Sequence, residues 1–512
     1  MSYAVGIDLG TVNSVVSVYR RGVVETIPID GQRTMPSVVS FRNDGSVLVG
    51  VPAKSRLLVD PVNTITSVKR FIGDPDKVYH LGRRALSPVT ISSLILRRLI
   101  QSAREYLGED VWNVVITVPA YFTEVQREQT KRAGEAAGLN VLRLIPEPTA
   151  AAIAYGLDQG RDQTIMVYDL GGGTFDVSIL QVKGNDFDVQ AVGGNNNLGG
   201  NDFDQEIMHW VSEQFRSQTG LDVLGSNSRE AILARQRLKK ATETAKIELS
   251  QSEYAAITVP DCMGYPLDIT LSRAQYDTLI EPQLQLTIAS MRSVLNDAEL
   301  LPRDIDRVIL VGSSTKSPAV QAVIAREIKQ PCIADRVDEV VAHGAAIMAA
   351  NLFLPEASDT VPVRVSNVTG HSLGVDMLNE HSELAFQALI PRQTAYPCKR
   401  GYLGFTNRPG QEKVVLTVYR GEDCNPRQNT YLGQLTLPVA PPQQNMVPIG
   451  VVFELDADGI IHFTAVQLPG NLKSRPIVQY ANEHNGALDV PAAEALLRSG
   501  DARAKTIRII SE

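Results

Sequence analysis

The 512-residue sequence predicts an α/β region over roughly the first 355 residues and an antiparallel β-sandwich after it. Three observations lead there: a strand–turn–strand device that occurs twice, alternating strand and helix periodicities, and a change to short β-rich runs beyond Thr360.

The first copy of the device is Ile7-Asp8-Leu9-Gly10-Thr11, an apolar strand ending in Asp and a small-residue turn, with a returning strand from Ser14 to Tyr19. The second is Tyr168-Asp169-Leu170-Gly171-Gly172-Gly173-Thr174-Phe175-Asp176, returning from Phe175 to Val182. Glycines let backbone N–H groups approach a polyphosphate, a Thr hydroxyl adds a hydrogen bond, and an Asp can hold hydrated Mg²⁺ opposite the phosphates. A single Asp-Leu-Gly-Thr is as readily a tight hairpin. Three consecutive glycines, however, cost backbone entropy with no packing return, so the pair points to a nucleotide tail clamped between two lobes. A third element, Ile309-Leu310-Val311-Gly312-Ser313-Ser314-Thr315 leading into a helical Pro318 to Ile324, adds weak support for a nucleotide.

Helical spacing is expected over Arg97 to Tyr106, Val125 to Ala137, Phe203 to Arg216, Arg229 to Glu248, Gln275 to Asn296 and Val337 to Leu352. Interleaved with strands, these favour an α/β architecture. Beyond Thr360, runs such as Val414 to Tyr419 and Val451 to Leu455 are separated by turn signals at Asn407-Arg408-Pro409-Gly410, Pro441-Pro442 and Asp456-Ala457-Asp458-Gly459.

The length favours two or more domains, and 44% hydrophobic residues suffice for sizeable cores. Cys262, Cys332, Cys398 and Cys424 are widely spaced with no Cys-x-x-Cys, which suggests a reducing compartment and no structural zinc. No basic or apolar leader precedes the first strand, and no stretch has transmembrane length, so the expectation is a cytoplasmic protein without a membrane span. A net charge of −8 with mixed signs argues against nucleic acid, and the basic cluster Arg235 to Lys240 reads as a solvated helix face.

The three motifs in this order resemble the actin-like ATPase superfamily. Val118-Pro119-Ala120-Tyr121-Phe122, Glu147-Pro148-Thr149-Ala150-Ala151-Ala152-Ile153-Ala154-Tyr155-Gly156-Leu157 and Leu198-Gly199-Gly200-Asn201-Asp202-Phe203-Asp204 narrow the resemblance to the DnaK-type, seventy-kilodalton heat-shock chaperones, over roughly residues 3 to 482. It implies an actin-like ATPase domain with two lobes and a duplicated βαβ fold over residues 1–358, a linker at 359–367, a β-sandwich peptide-binding domain at 368–484, and a short tail at 485–512 without the helical lid.

The roles implied by the resemblance fall on named positions. Asp8 and Asp169 would arrange the Mg²⁺ water shell, Thr11 would bond the γ-phosphate, and Lys69 would stabilise the attacking water. Glu147 would act on the metal or water, and Thr174 and Asp176 would complete the second loop. Gly10, Val12, Gly171, Gly172, Gly173, Gly199 and Gly200 would cradle phosphates, and K⁺ is a further candidate ion beside ATP or ADP. Glu243, Lys246 and Ser250 would share one helical face toward adenosine, with Gly312, Ser313, Ser314 and Lys316 on its other side. Pro119 and Arg127 would relay the nucleotide state. Phe386, Val414 and Leu416 would line a groove for extended apolar peptides, bound through backbone hydrogen bonds.

Several positions depart from the family's pattern. Val12 stands for a Thr, and Ser313 for a Gly. Lys316 stands for an Arg, which predicts weaker grip on adenine. Pro146 replaces an Asn on the surface used by J-domain co-chaperones, a peripheral lobe after Gly73 is shorter, and the linker reads Val361-Pro362-Val363-Arg364-Val365 in place of a leucine run. Less apolar linker area predicts a smaller coupling between domains. A lidless groove would exchange peptide quickly. The reading is an ATP-hydrolysing chaperone served by a J-domain partner and an exchange factor. The rivals are a nucleotide-regulated scaffold with little turnover, and a sugar kinase that would leave the C-terminal sandwich unexplained.

Overall fold

A computed structural model describes residues 3–81, 84–156, 162–333, 336–354, 362–378, 383–439, 445–468 and 507–509. The chain divides into two compact units, Met1–Val365 and Ser366–Glu512.

The first unit is built on two mixed sheets with one strand order. In the first, β1 (Ala4–Asp8), β2 (Asn13–Arg20), β3 (Val23–Thr26), β4 (Asn113–Val118) and β5 (Asn140–Pro146) lie in the order β5-β4-β1-β2-β3. In the second, β6 (Gln163–Leu170), β7 (Phe175–Lys183), β8 (Asp186–Asn195), β9 (Arg307–Val311) and β10 (Cys332–Ile333) repeat it as β10-β9-β6-β7-β8. In both, the first strand pairs antiparallel with the second and parallel with the fourth. Val5, Ile7, Val114 and Ile116 are wholly buried, as are Met166, Tyr168, Val308 and Leu310. This is the near-continuous apolar character of strands covered on both faces.

The covering helices are α1 (Pro88–Leu107), α2 (Glu124–Ala136), α3 (Glu147–Gly156), α4 (Gly200–Thr219), α5 (Arg229–Glu248), α6 (Arg273–Asp297), α7 (Pro318–Glu327) and α8 (Val340–Phe353). Ser87 caps α1, Thr123 and Ser272 close capping boxes on α2 and α6, and Ser228 caps α5. The α1 helix begins well before the expected Arg97, because the apolar run Ile91, Ile95, Leu96, Leu99 continues the periodicity back to Pro88. The α8 helix begins at Val340 rather than Val337, with Glu339 before it. Helices α3 and α8 meet through small residues: a Cβ on Gly344 would lie 2.8 Å from the Ala150 Cα and closer still to its carbonyl.

The second unit is a sandwich of two four-stranded sheets. One is ordered β12-β11-β14-β15, from β11 (Leu373–Leu378), β12 (Leu384–Ile390), β14 (Lys413–Arg420) and β15 (Thr430–Pro438). The other is ordered β17-β16-β13-β18, from β13 (Cys398–Thr406), β16 (Pro448–Leu455), β17 (Ile461–Gln467) and β18 (Ile507–Ile509). Val375, Leu416 and Leu437 pack with Val451, Phe453 and Leu455 between them. Turns at Gly410 and Gly459 have positive φ (72° and 73°), as the turn signals require. Pro441 and Pro442, the tail helix candidate Pro491 to Arg498 and the linker residue Val361 lie outside the described residues. The tail reading contained no strand, whereas Ile507–Ile509 pairs parallel with β13. The second half of the linker span runs into a strand, Arg364–Val368.

Candidate functional site

Asp8 ends β1 and Asp169 nearly ends β6, so both strands deliver a carboxylate to the same mouth of the first unit. The β6–β7 register sets Asp169 opposite Asp176 and Leu170 opposite Phe175, leaving Gly171 to Thr174 as a four-residue loop closed by the Gly171 N–H donating to the Thr174 carbonyl at 3.1 Å. A Cβ on Gly173 would lie 2.5 Å from Thr11 Cγ2 and 2.8 Å from Arg70 Nε, and one on Gly172 would strike the Val12 side chain. The glycine run is therefore needed for the two loops to touch, quite apart from any ligand.

Gly199 and Gly200 open α4 directly behind this loop. The N–H groups of Gly200 and Asn201 donate to the carbonyls of Gly171 and Gly172, both at 2.9 Å, and Ser314 Oγ donates to the Gly171 carbonyl at 2.9 Å. Gly312, at φ 84°, lets β9 leave beside Leu170, where a Cβ would sit 2.9 Å from the Gly171 nitrogen.

A cleft of about 620 Å³ gathers Asp8, Gly10, Thr11 and Val12 from the first loop and Asp169, Gly171, Gly172 and Thr174 from the second. Lys69, Glu147, Gly312, Ser313 and Asp338 are among the other residues of its wall. A neighbouring cavity of about 700 Å³ shares Val12, Gly172 and Ser313 and is lined further by Gly200, Glu243, Lys246, Ser250 and Ser314. The two adjoin one another across Val12, Gly172 and Ser313. Ser250 lies beyond the end of α5, so it reaches the pocket from the turn that follows and not from the shared helical face. Lys316 does not line either cavity; its Nζ is paired with Asp338 Oδ2 at 2.6 Å, and Ser313 Oγ donates to the same carboxylate at 2.8 Å. Lys246 is paired with Asp204 at 2.8 Å.

Electrostatically the cleft is short of positive charge. Glu147, Asp169 and Asp176 are buried and Asp8 is partly so, yet the ammonium among them is that of Lys69, hydrogen-bonded to Glu147. Burial, then the Glu147 charge, pushes the Asp8 and Asp176 carboxyls each up to about 7, and the same causes raise Asp169 well above the usual carboxylate range. Burial works against the Lys69 ammonium, but Glu147 and Asp8 outweigh it and its pKa is raised. Thr117 Oγ1 donates to Asp8 at 3.1 Å, and Asp176 Oδ1 accepts the Tyr121 N–H at 2.8 Å, while Asp176 Oδ2 has no partner. Asp8, Glu147 and Asp169 line the cleft beside one ammonium, with Asp176 buried next to them and Asp338 already paired with Lys316, a charge set that fits a divalent cation. Among the described residues no three acidic, His or Cys side chains converge closely enough to chelate one directly.

Arg127, buried on α2, donates from Nη2 to the Ala120 carbonyl at 2.9 Å and from Nε to the Phe122 carbonyl at 3.3 Å. Asp176 and Arg127 thus hold the same short loop that Pro119 begins. In the second unit, Val414 and Leu416 correct the expectation placed on them. They are 0% and 1% exposed and belong to the sandwich core, because the β14 alternation turns them inward against the facing sheet. Phe386 is half-buried on β12, its N–H donating to the Cys424 carbonyl at 2.8 Å.

Sequence reasoning missed Arg70, whose Nε donates to the Gly173 carbonyl at 3.1 Å and whose guanidinium pairs with Asp202. It missed Thr117 and Asp338 as well. Arg70 adjoins Lys69 and Asp202 lies inside a quoted motif, so both stood in view, but a pairing across 132 positions leaves no local trace.

The pattern of the family described as Hsp70 protein matches residues 4–80 and 76–490. Among curated relatives, the chaperone protein DnaK of Thermotoga neapolitana is 42% identical over 487 residues, covering 93% of this chain and 80% of the relative. That of Thermosipho africanus is 43% identical over 477 residues, covering 91% and 78%.

Proposed function

The chain belongs to the Hsp70 family and is an ATP-dependent chaperone that hydrolyses ATP; on that premise we propose that its first unit is an actin-like ATPase domain whose paired glycine loops hold the nucleotide. The observation that carries the site assignment is the cation-poor carboxylate cluster where the two loops touch, continuous with a pocket lined by Glu243, Lys246 and Ser250. ATP or ADP with Mg²⁺ suits both halves, and K⁺ is a further ion the same carboxylates could hold.

Mg²⁺, held by Asp8 and Asp169 through water, would neutralise phosphate charge. Thr11 and Thr174 donate hydroxyls to the terminal phosphate, and the backbone of Gly10, Val12 and Gly171 to Gly173 lines its approach. Lys69, immobilised by Glu147, provides a fixed positive charge beside the attacking water, since phosphoryl transfer depends on positioning and electrostatics. Asp176 Oδ2 is the open oxygen on which that water's proton can rest. Movement of Asp176 reaches Arg127 through the loop begun by Pro119, which supports the relay assigned to that pair.

The second unit, with its boundary near Val365, takes extended apolar peptides, and half-buried Phe386 is the one of the expected three that lies outside the sandwich core. A J-domain co-chaperone and an exchange factor are the proposed partners. Four free cysteines support a reducing, cytoplasmic setting. Among the described residues no helix is long and apolar enough to cross a membrane.

Single-turnover ATP hydrolysis, with and without an apolar peptide, tests this on the wild type and Thr11→Ala. Peptide-stimulated turnover that collapses in the variant is expected. ATP binding without turnover would favour a nucleotide-regulated scaffold.

A further inference from the structure

Tyr276 on α6 and Ser317 before α7 both line the pocket assigned above to the nucleoside, and both are buried, at 2% and 6% exposure. Neither hydroxyl oxygen makes a well-formed hydrogen bond, and the one group each can lean on is the other. Ser317 occupies the N-cap position of α7, where a serine hydroxyl ordinarily accepts a backbone N–H, yet it makes no such bond. It lies near enough to the Tyr276 phenol to act on its ionisation, and burial pushes that phenol up, keeping it protonated. The cations that could otherwise reach a base are committed elsewhere: Lys316 to Asp338, and Lys246 to Asp204 and the Gly200 carbonyl. Phe203 and Ile247 give the same pocket apolar surface.

A buried hydroxyl left without a partner costs about 1–3 kcal/mol, so two facing one cavity imply a ligand that satisfies them. Each offers one donor and two lone pairs, and both can rotate. Together they can donate to a ring nitrogen and accept from an adjacent amine, the pattern along the edge of adenine that carries its exocyclic group.

We propose that Tyr276 and Ser317 are specificity-determining residues that read the amine-bearing edge of the purine base. The assignment rests on the nucleotide reading of this pocket. The contact is neutral and short, so it discriminates between bases without entering the chemistry at Lys69 and Glu147.

The test is equilibrium binding of ATP and of the triphosphate of unsubstituted purine riboside, which lacks the amine, to the full chain. Tyr276→Phe and Ser317→Ala each delete one oxygen, Ser317→Thr restores a hydroxyl, and thermal midpoints confirm that all are folded. The wild type is expected to prefer ATP by about tenfold or more. Each deletion should bring that preference below about threefold, chiefly by weakening ATP, with Thr restoring it. Equal preference in wild type and both deletion variants, or no preference in the wild type, overturns the proposal while leaving the nucleotide site standing. Failure of the wild type to bind either triphosphate overturns the site reading and the proposal together.

Discussion

Lys69 is the residue on which most of the cleft's electrostatics turn, since it faces Glu147, Asp8 and Asp176 at once. Lys69→Ala should lower single-turnover hydrolysis by about 10²–10³-fold, the usual effect of removing one preorganised charge, while ATP still binds through the loops. Loss of ATP binding in proportion to turnover would show that Lys69 holds ground state and transition state alike. In the second unit His371 is held near 4 by burial, with Arg420 and Arg392 adding to it. Its folded pKa lies below the unfolded value of 6.5, so the folded state binds fewer protons and stability falls as pH drops from about 6.5 toward 4. The second unit should be less stable at pH 5 than at pH 7 by about 1 kcal/mol on this account, discounted for partial exposure, and His371→Asn should flatten that slope in urea titrations. Asp8, Thr11 and Asp169 were legible in the sequence because each sits in a strand–turn–strand device that occurs twice, and Lys69 through the family resemblance alone. Thr117 was not, because a lone Thr in an apolar strand looks like any other strand residue until β4 is laid against β1.

At the scale of elements, the helix pair α3 and α8 is held by contact between Gly344 and the Ala150 backbone. Gly344→Ala forces the helices apart and should cost about 1–3 kcal/mol, read as a lower urea midpoint with unchanged slope. An unchanged midpoint would mean that α8 can slide without loss. Both helices are rich in alanine, and the sequence announced α3 through its motif and α8 through its periodicity, but the crossing itself depends on which small residues meet. The β14 strand teaches the converse. Val414-Val415-Leu416 reads as a strand at once, yet which face lies inward is fixed by pairing with β15 and by the opposite sheet, and it turns Val414 and Leu416 into the core.

Taken whole, the duplicated strand order was visible as two copies of one loop, and the division between the units at Val365 falls within the span 359–367 read as the linker. The Val363 N–H donates to Asn351 Oδ1 on α8 at 3.2 Å, so the chain leaves the first unit anchored to the helix that packs on β1 and β2. Asn351→Ala should leave basal hydrolysis within about twofold but reduce the increment produced by peptide, because the coupling has lost an attachment point. Equal stimulation in both proteins would place that coupling elsewhere. The unbalanced carboxylates of the cleft carry one more consequence, which concerns the lifetime of the protein in a cell. An emptied copy must crowd these carboxyls together without a neutralising ion, so bound nucleotide and cation should act as a keystone that lowers the population of the opened first unit and slows its digestion by a protease.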